Sequence, residues 1–101
     1  VDTSVSGRAA QKVAEKLAQV AHCKQVLCVT HLPQLAAMAD VHFSVEKGER
    51  DGRTYTAVET LDRARRQAEL ARLTSGERIT QAALDSAGEL LDGAGAYKKT
   101  L

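Results

Sequence analysis

The run Gln25-Val26-Leu27-Cys28-Val29-Thr30 constrains this chain more than any other stretch. Its centre is apolar without alternation, the pattern of a strand buried on both faces. A strand of that kind needs sheet neighbours at its edges and packed layers above and below. It also places Cys28 in the core, where a thiol is inert as a nucleophile. Ahead of it, Ser4 and Ser6 are both suitable N-caps, and the periodicity predicts a helix to about His22. Ala10, Val13, Ala14, Leu17 and Ala21 share one face of that helix, while Lys12, Glu15, Lys16 and Gln19 take the other. Small alanines on the buried face suit a helix lying close against a sheet.

Pro33 follows the strand where proline fits the first turn of a helix, predicted over about Pro33 to Ala39. Val41, Phe43 and Val45 then alternate with His42, Ser44 and Glu46, as in a half-exposed strand. Gly48 and Asp51-Gly52 are turn signals, and Thr54 to Leu61 returns as a second strand, giving an antiparallel hairpin over residues 41–61. The remainder, 62–92, reads as two helices. Asp62 caps the first, Ser75-Gly76 breaks it, Thr80 caps the second with Ile79 and Leu84 as a hydrophobic staple, and Gly93 and Gly95 end it. The predicted order is helix, strand, helix, hairpin, helix, helix: an α/β chain.

The 101 residues give room for one domain with a single modest core. Fourteen basic side chains against thirteen acidic ones leave a formal charge of +1, so any nucleic-acid surface would have to be local. Two cysteines imply no disulfide framework, and no apolar run approaches a membrane span. The chain opens on Val1 rather than Met, and is expected to be a piece of a longer polypeptide.

Thr30-His31-Leu32-Pro33 is the informative spot. A polar Thr and His follow an apolar strand and immediately precede a helix, and ligands of α/β proteins bind at the carboxyl ends of such strands. A neutral imidazole there can donate one hydrogen bond to a phosphate oxygen and accept another from water. A surface histidine closing the strand is the other reading, and the local residues leave both open. A zinc site from His22, Cys23, Cys28 and His31 is disfavoured, since the spacing contains no knuckle. Gly93 to Thr100 imitates a phosphate loop, but Lys98 stands where its second glycine must be. Arg63, Arg65, Arg66, Arg72 and Arg78 are interspersed with Asp62, Glu69 and Glu77, which favours a solvated helix face over a nucleic-acid site.

Val1-Asp2-Thr3-Ser4-Val5-Ser6-Gly7-Arg8, Cys28-Val29-Thr30-His31-Leu32-Pro33-Gln34, Ala36-Ala37-Met38-Ala39-Asp40 and Glu69-Leu70-Ala71-Arg72 together resemble the bacterial RecN family of DNA-repair proteins, in the SMC-like branch of ABC-type ATPases. The run Thr-His-Leu-Pro-Gln is specific to that family, while Thr-His alone is common to many ABC-type heads. The resemblance implies the C-terminal lobe of a P-loop NTPase head. His31, within residues 30–34, then looks like the H-loop histidine that contacts the γ-phosphate and helps arrange the attacking water. Asp2, Ser4 and Ser6, within residues 1–6, look like the D-loop that lies across the interface between two heads. Ser4 stands where many relatives carry glycine, and Ser6 where broader SMC-type heads carry Asp.

In the family the Walker B carboxylates would lie immediately before Val1, with the Walker A loop, signature motif and coiled coil further upstream. ATP and Mg²⁺ are therefore expected in the full-length protein, and neither a cofactor nor a metal in this chain alone. The implied partners are a second ATPase head in a homodimer, and DNA, in a cytoplasmic, nucleoid-associated protein with no membrane contact. Alternatives are a non-enzymatic head-dimerisation or DNA-docking module around Arg63–Arg78, or part of another ABC-type ATPase. A lobe by itself would leave the strand at Gln25–Thr30 without neighbours, and open sheet edges invite self-association.

Overall fold

Ala10 and Ala14, one helical turn apart, decide how the first helix packs. In the computed structural model, which describes residues 7–101, α1 (Gly7–Ala21) buries both in a core shared with α2 (Pro33–Met38). Leu17 lies partly buried beside them, whereas Val13, expected on the same face, sits at the margin of the stripe and is 40% exposed. Pro33 opens α2 as expected, and Leu35, Ala36, Ala37 and Met38 are all buried.

The two C-terminal helices start where their capping residues say they should. The Asp62 carboxylate accepts the Arg65 N–H at 2.9 Å at the start of α3 (Arg63–Ser75), and the Thr80 hydroxyl accepts the Ala83 N–H at 3.1 Å at the start of α4 (Gln81–Lys98). Gly76, at φ +77°, turns the chain out of α3. The helix α4 does not stop at Gly93 or Gly95. Ala87, Leu91 and Ala94 keep its buried stripe in step, Tyr97 packs against the same core, and this burial offsets the roughly 1 kcal/mol that each helical glycine costs.

The strand expected at Gln25–Thr30 is absent. That segment has no regular secondary structure and pairs with no strand, and Leu27 and Val29 are 87% and 91% exposed. The reason is geometric: the described residues form one sheet, a hairpin of β1 (Phe43–Arg50) and β2 (Arg53–Thr60) whose strands pair with each other. Without a neighbour an apolar strand sequence has neither ladder nor cover. Cys28 is correspondingly exposed, not buried. The element order is therefore helix, helix, hairpin, helix, helix, a mixed helix–strand architecture.

Register across the hairpin runs from Phe43 opposite Thr60 to Arg50 opposite Arg53, closed by Asp51 and Gly52, both at positive φ. Val45 and Val58 face each other on the same side as Phe43. This apolar face is the outer one, with Phe43 50% and both valines 62% exposed. The polar side, carrying Ser44 and Glu46, turns toward α3 over a groove of about 230 Å³ shared with Arg65, Glu69 and Arg72. Alternation in β1 was legible, but which side is covered is the reverse of what hydrophobicity implies. On that polar side Glu59 pairs with Arg65 of α3.

The helices converge on α2, which packs against α1, α3 and α4, while α3 and α4 also pack on each other. Much of the core is alanine: Ala10, Ala14, Ala36, Ala37, Ala71, Ala83, Ala87 and Ala94. Leu70 is the largest fully buried side chain among the described residues. Leu70→Ala should cost about 3 kcal/mol, the usual range for a leucine lost from a close-packed site. Urea unfolding followed by circular dichroism checks this; a loss under about 1 kcal/mol would mean that the helices collapse onto the gap.

Candidate functional site

The segment Thr30 to Gln34 leaves the unpaired stretch and enters α2 through a tight turn. The Thr30 hydroxyl oxygen accepts the Leu32 N–H at 3.0 Å, a local bond of the kind Thr makes to backbone two residues on. This bond puts His31 at the apex of the turn, exposed. Leu32, the N-cap residue, has extended dihedrals and no side-chain capping bond, and Pro33 follows at the first helical position. Gln34 lies beside the start of α1: a Cβ built on Gly7 would stand 3.6 Å from the Gln34 Nε2. The candidate histidine segment, through Gln34, and Gly7, the residue directly after the 1–6 stretch, are thus brought together from about a quarter of the chain apart.

Between α1, α2 and α4, next to Gln34, lies an open cleft of about 360 Å³ with Gln11, Glu15, Glu89 and Tyr97 among its polar walls. Gln11 donates to the Glu15 carboxylate at 3.1 Å. His31 does not line this cleft.

At the far end of α2 the structure shows what the sequence concealed. One terminal nitrogen of Arg66 donates to the carbonyl oxygens of Ala36, Ala37 and Ala39 at 3.1, 3.3 and 2.9 Å. Lys98 adds a bond from Nζ to the Ala39 carbonyl at 3.2 Å and an ion pair with Asp40 at 3.1 Å. A helix end exposes carbonyls that its own amides cannot reach, and cations satisfy both their lone pairs and the negative end of the helix dipole. Burial, and next the charge on Arg63, pull the Arg66 pKa below its ordinary value, with Asp40 opposing. Arginine stays protonated regardless. Its position in an arginine-rich helix made Arg66 look like surface charge.

Arg63, Arg65 and Arg72 of that cluster are also engaged within the molecule. Arg63 pairs with Asp92 at 2.9 Å and reaches the Gly88 carbonyl at 3.3 Å. Arg65 pairs with Glu59, and Arg72 with Glu69, its Nε at 3.0 Å from the carboxylate. The hydrogen bond from Arg72 comes first in holding the Glu69 carboxyl below its usual range, ahead of their Coulombic attraction; burial opposes this.

Other candidates separate. Asp2, Ser4 and Ser6 lie outside the described residues. Cys23 and Cys28 are exposed thiols, and among the described residues no three His, Cys, Asp or Glu side chains are grouped to hold a metal ion. Gly93 to Lys98 is helical, so its amides serve α4 and form no phosphate cradle. No helix among the described residues is long and apolar enough to cross a membrane.

No family model matches the sequence. Curated proteins do. The chain is 48% identical over 100 residues to the DNA repair protein RecN of Bacillus subtilis, a match covering 99% of this chain and 17% of that protein. It is 47% identical over 92 residues to RecN of Halalkalibacterium halodurans and 48% over 93 residues to RecN of Deinococcus radiodurans, covering 91% and 92% of this chain and 16% of each relative. Identity at this level along nearly the whole chain makes it homologous to a segment of RecN. The chain spans about a sixth of the length of these relatives.

One titration follows from the joint between α2 and β1. His42 has a buried Nδ1 with no hydrogen-bond partner, and its carbonyl accepts the Leu61 N–H at 2.9 Å, tying the base of the hairpin. Burial, and then the Arg66 charge, push the imidazole below its ordinary pKa, with Glu69 opposing. Above the unfolded value of about 6.5 both states are neutral and the full stability is present. As pH falls through that value the unfolded chain takes up the proton first, so stability declines until the folded pKa is reached. The melting temperature should therefore fall between about pH 7.5 and about pH 5.5, and His42→Gln should flatten that slope. An equal slope in the variant would assign the effect elsewhere.

Proposed function

We propose, from homology to a segment of RecN, that this chain is the C-terminal lobe of the ATPase head of a RecN-type DNA-repair protein. In this reading residues 30–34 form the H-loop and residues 1–6 the D-loop. His31 faces the γ-phosphate of ATP bound between two heads, while Asp2, Ser4 and Ser6 lie along the head–head interface. The observation that carries the proposal is the exposed Thr30-anchored turn, which presents His31 directly ahead of α2, whose Gln34 lies beside the start of α1.

ATP and Mg²⁺ belong, in this reading, to the phosphate loop and Walker B carboxylates of the whole protein, which these 101 residues do not include. When bound, Mg²⁺ neutralises charge on the β- and γ-phosphates. What this chain supplies is an imidazole able to donate to a phosphate oxygen and accept from water, on a turn fixed by Thr30. The partners proposed for the whole protein are a second head and DNA, in the bacterial cytoplasm at the nucleoid. The internal pairing of Arg63, Arg65, Arg66 and Arg72 weighs against a docking module built on the Arg63–Arg78 stretch.

Two measurements test the reading. In the intact ATPase, His31→Ala should lower ATP turnover by about 100-fold, the scale for losing one hydrogen bond aimed at developing charge. Turnover within about twofold of the parent would remove His31 from the mechanism. For the lobe by itself, the uncovered Leu27 and Val29 should drive pairing between copies, giving a dimer or larger species by light scattering. A monodisperse monomer at high concentration would show that the segment tolerates water.

A further inference from the structure

We propose that Arg66 is a positioning residue for His31, acting through α2. The inference rests on the ATPase reading of His31 and deepens it. The helix α2 has six residues, too few to hold itself together in water, and its N-cap offers no side-chain bond. Its direction is therefore set from outside, by the burial of Leu35, Ala36, Ala37 and Met38 among α1, α3 and α4 and by what grips its C-terminal end. At its C-terminal end the grip comes from two cations on two different helices: Arg66 of α3, on the carbonyls of Ala36, Ala37 and Ala39, and Lys98 of α4, on the Ala39 carbonyl and Asp40.

The other end of α2 begins two residues after His31, and the Thr30–Leu32 bond makes the turn and the helix one short body. On its N-terminal side His31 has only the unpaired stretch Gln25–Thr30, which fixes nothing within this chain. The clamp at one end of a rod roughly 9 Å long thus sets where the imidazole stands at the other. A tilt about the clamp moves His31 on the scale of an ångström, enough to cost about 100-fold in an oriented reaction. Arg66 touches no reacting atom. It orients the group that does.

A double-mutant cycle in the intact ATPase carrying this segment separates positioning from plain stability. Arg66→Met should lower kcat about tenfold, with KM for ATP within about twofold. Arg66→Lys, which keeps a cation on a shorter side chain, should recover part of the loss. In the His31→Ala background Arg66→Met should have no further effect, because the residue it acts through is gone. An equal drop in both backgrounds, or an unchanged kcat, overturns the proposal and leaves Arg66 a stabilising residue. If His31→Ala by itself leaves turnover unchanged, the role of His31 fails first and this inference with it, a failure read from a different arm. Should Arg66→Met not fold by circular dichroism, Lys98→Ala takes its place in the cycle. That variant removes the second cation from the Ala39 carbonyl and should give a smaller kcat loss, again absent without His31; no loss would overturn the proposal.

Discussion

The arrangement of this chain depends on how the C-terminal end of α2 is satisfied. Three carbonyls there find one guanidinium, and one of them also finds a lysine. Each charge-assisted bond of this type is worth about 1.5–3 kcal/mol net, comparable to burying a leucine and well above what a buried alanine contributes. In a core composed largely of alanines, apolar burial brings the helices close without dictating their angles. Direction comes from the polar clamp. Because α2 contacts α1, α3 and α4 alike, orienting it orients the set.

Polar bonds also anchor the hairpin at its base. Its apolar side, Phe43, Val45 and Val58, would gain most from burial, yet the polar side faces α3. The ion pair between Glu59 and Arg65, with Leu61 buried at the base and its N–H bound to the His42 carbonyl, fixes the hairpin where it leaves the helices. Beyond that base no helix extends to meet the valines. The anchoring bonds are local to the joint.

What was legible in the sequence was what short-range chemistry decides. Asp62, Thr80, Gly76, Pro33 and Asp51-Gly52 act on backbone groups within a few residues of themselves, so the starts of α2, α3 and α4, the end of α3 and the hairpin turn could be read directly. Two features were misread because they depend on distant groups. The glycines near the end of α4 are overruled by packing of Leu91, Ala94 and Tyr97. Arg66 sits among four other arginines of ordinary surface appearance, and only the fold brings it to carbonyls 27 to 30 residues away. At the candidate site, Thr30 and His31 were legible as polar residues at the entry to a helix, but the groups that hold that helix were not.

The misread strand at Gln25–Thr30 carries a further lesson about His31. An unbroken apolar run specifies an environment, sheet on both edges and layers on both faces, and adopts its structure only where that environment is supplied. Among the described residues it is not, and the run stays unpaired, with Leu27 and Val29 bare. His31 therefore lies at a boundary: the backbone before it waits on partners, while the backbone after it is already fixed by α3 and α4. A histidine attached to two independently supported segments would need both to be in place before it stood correctly. Here one support, α2 with the cations of α3 and α4 on its C-terminal end, is internal to the chain, so the backbone after His31 is held by an alanine-rich core whatever the Gln25–Thr30 stretch does.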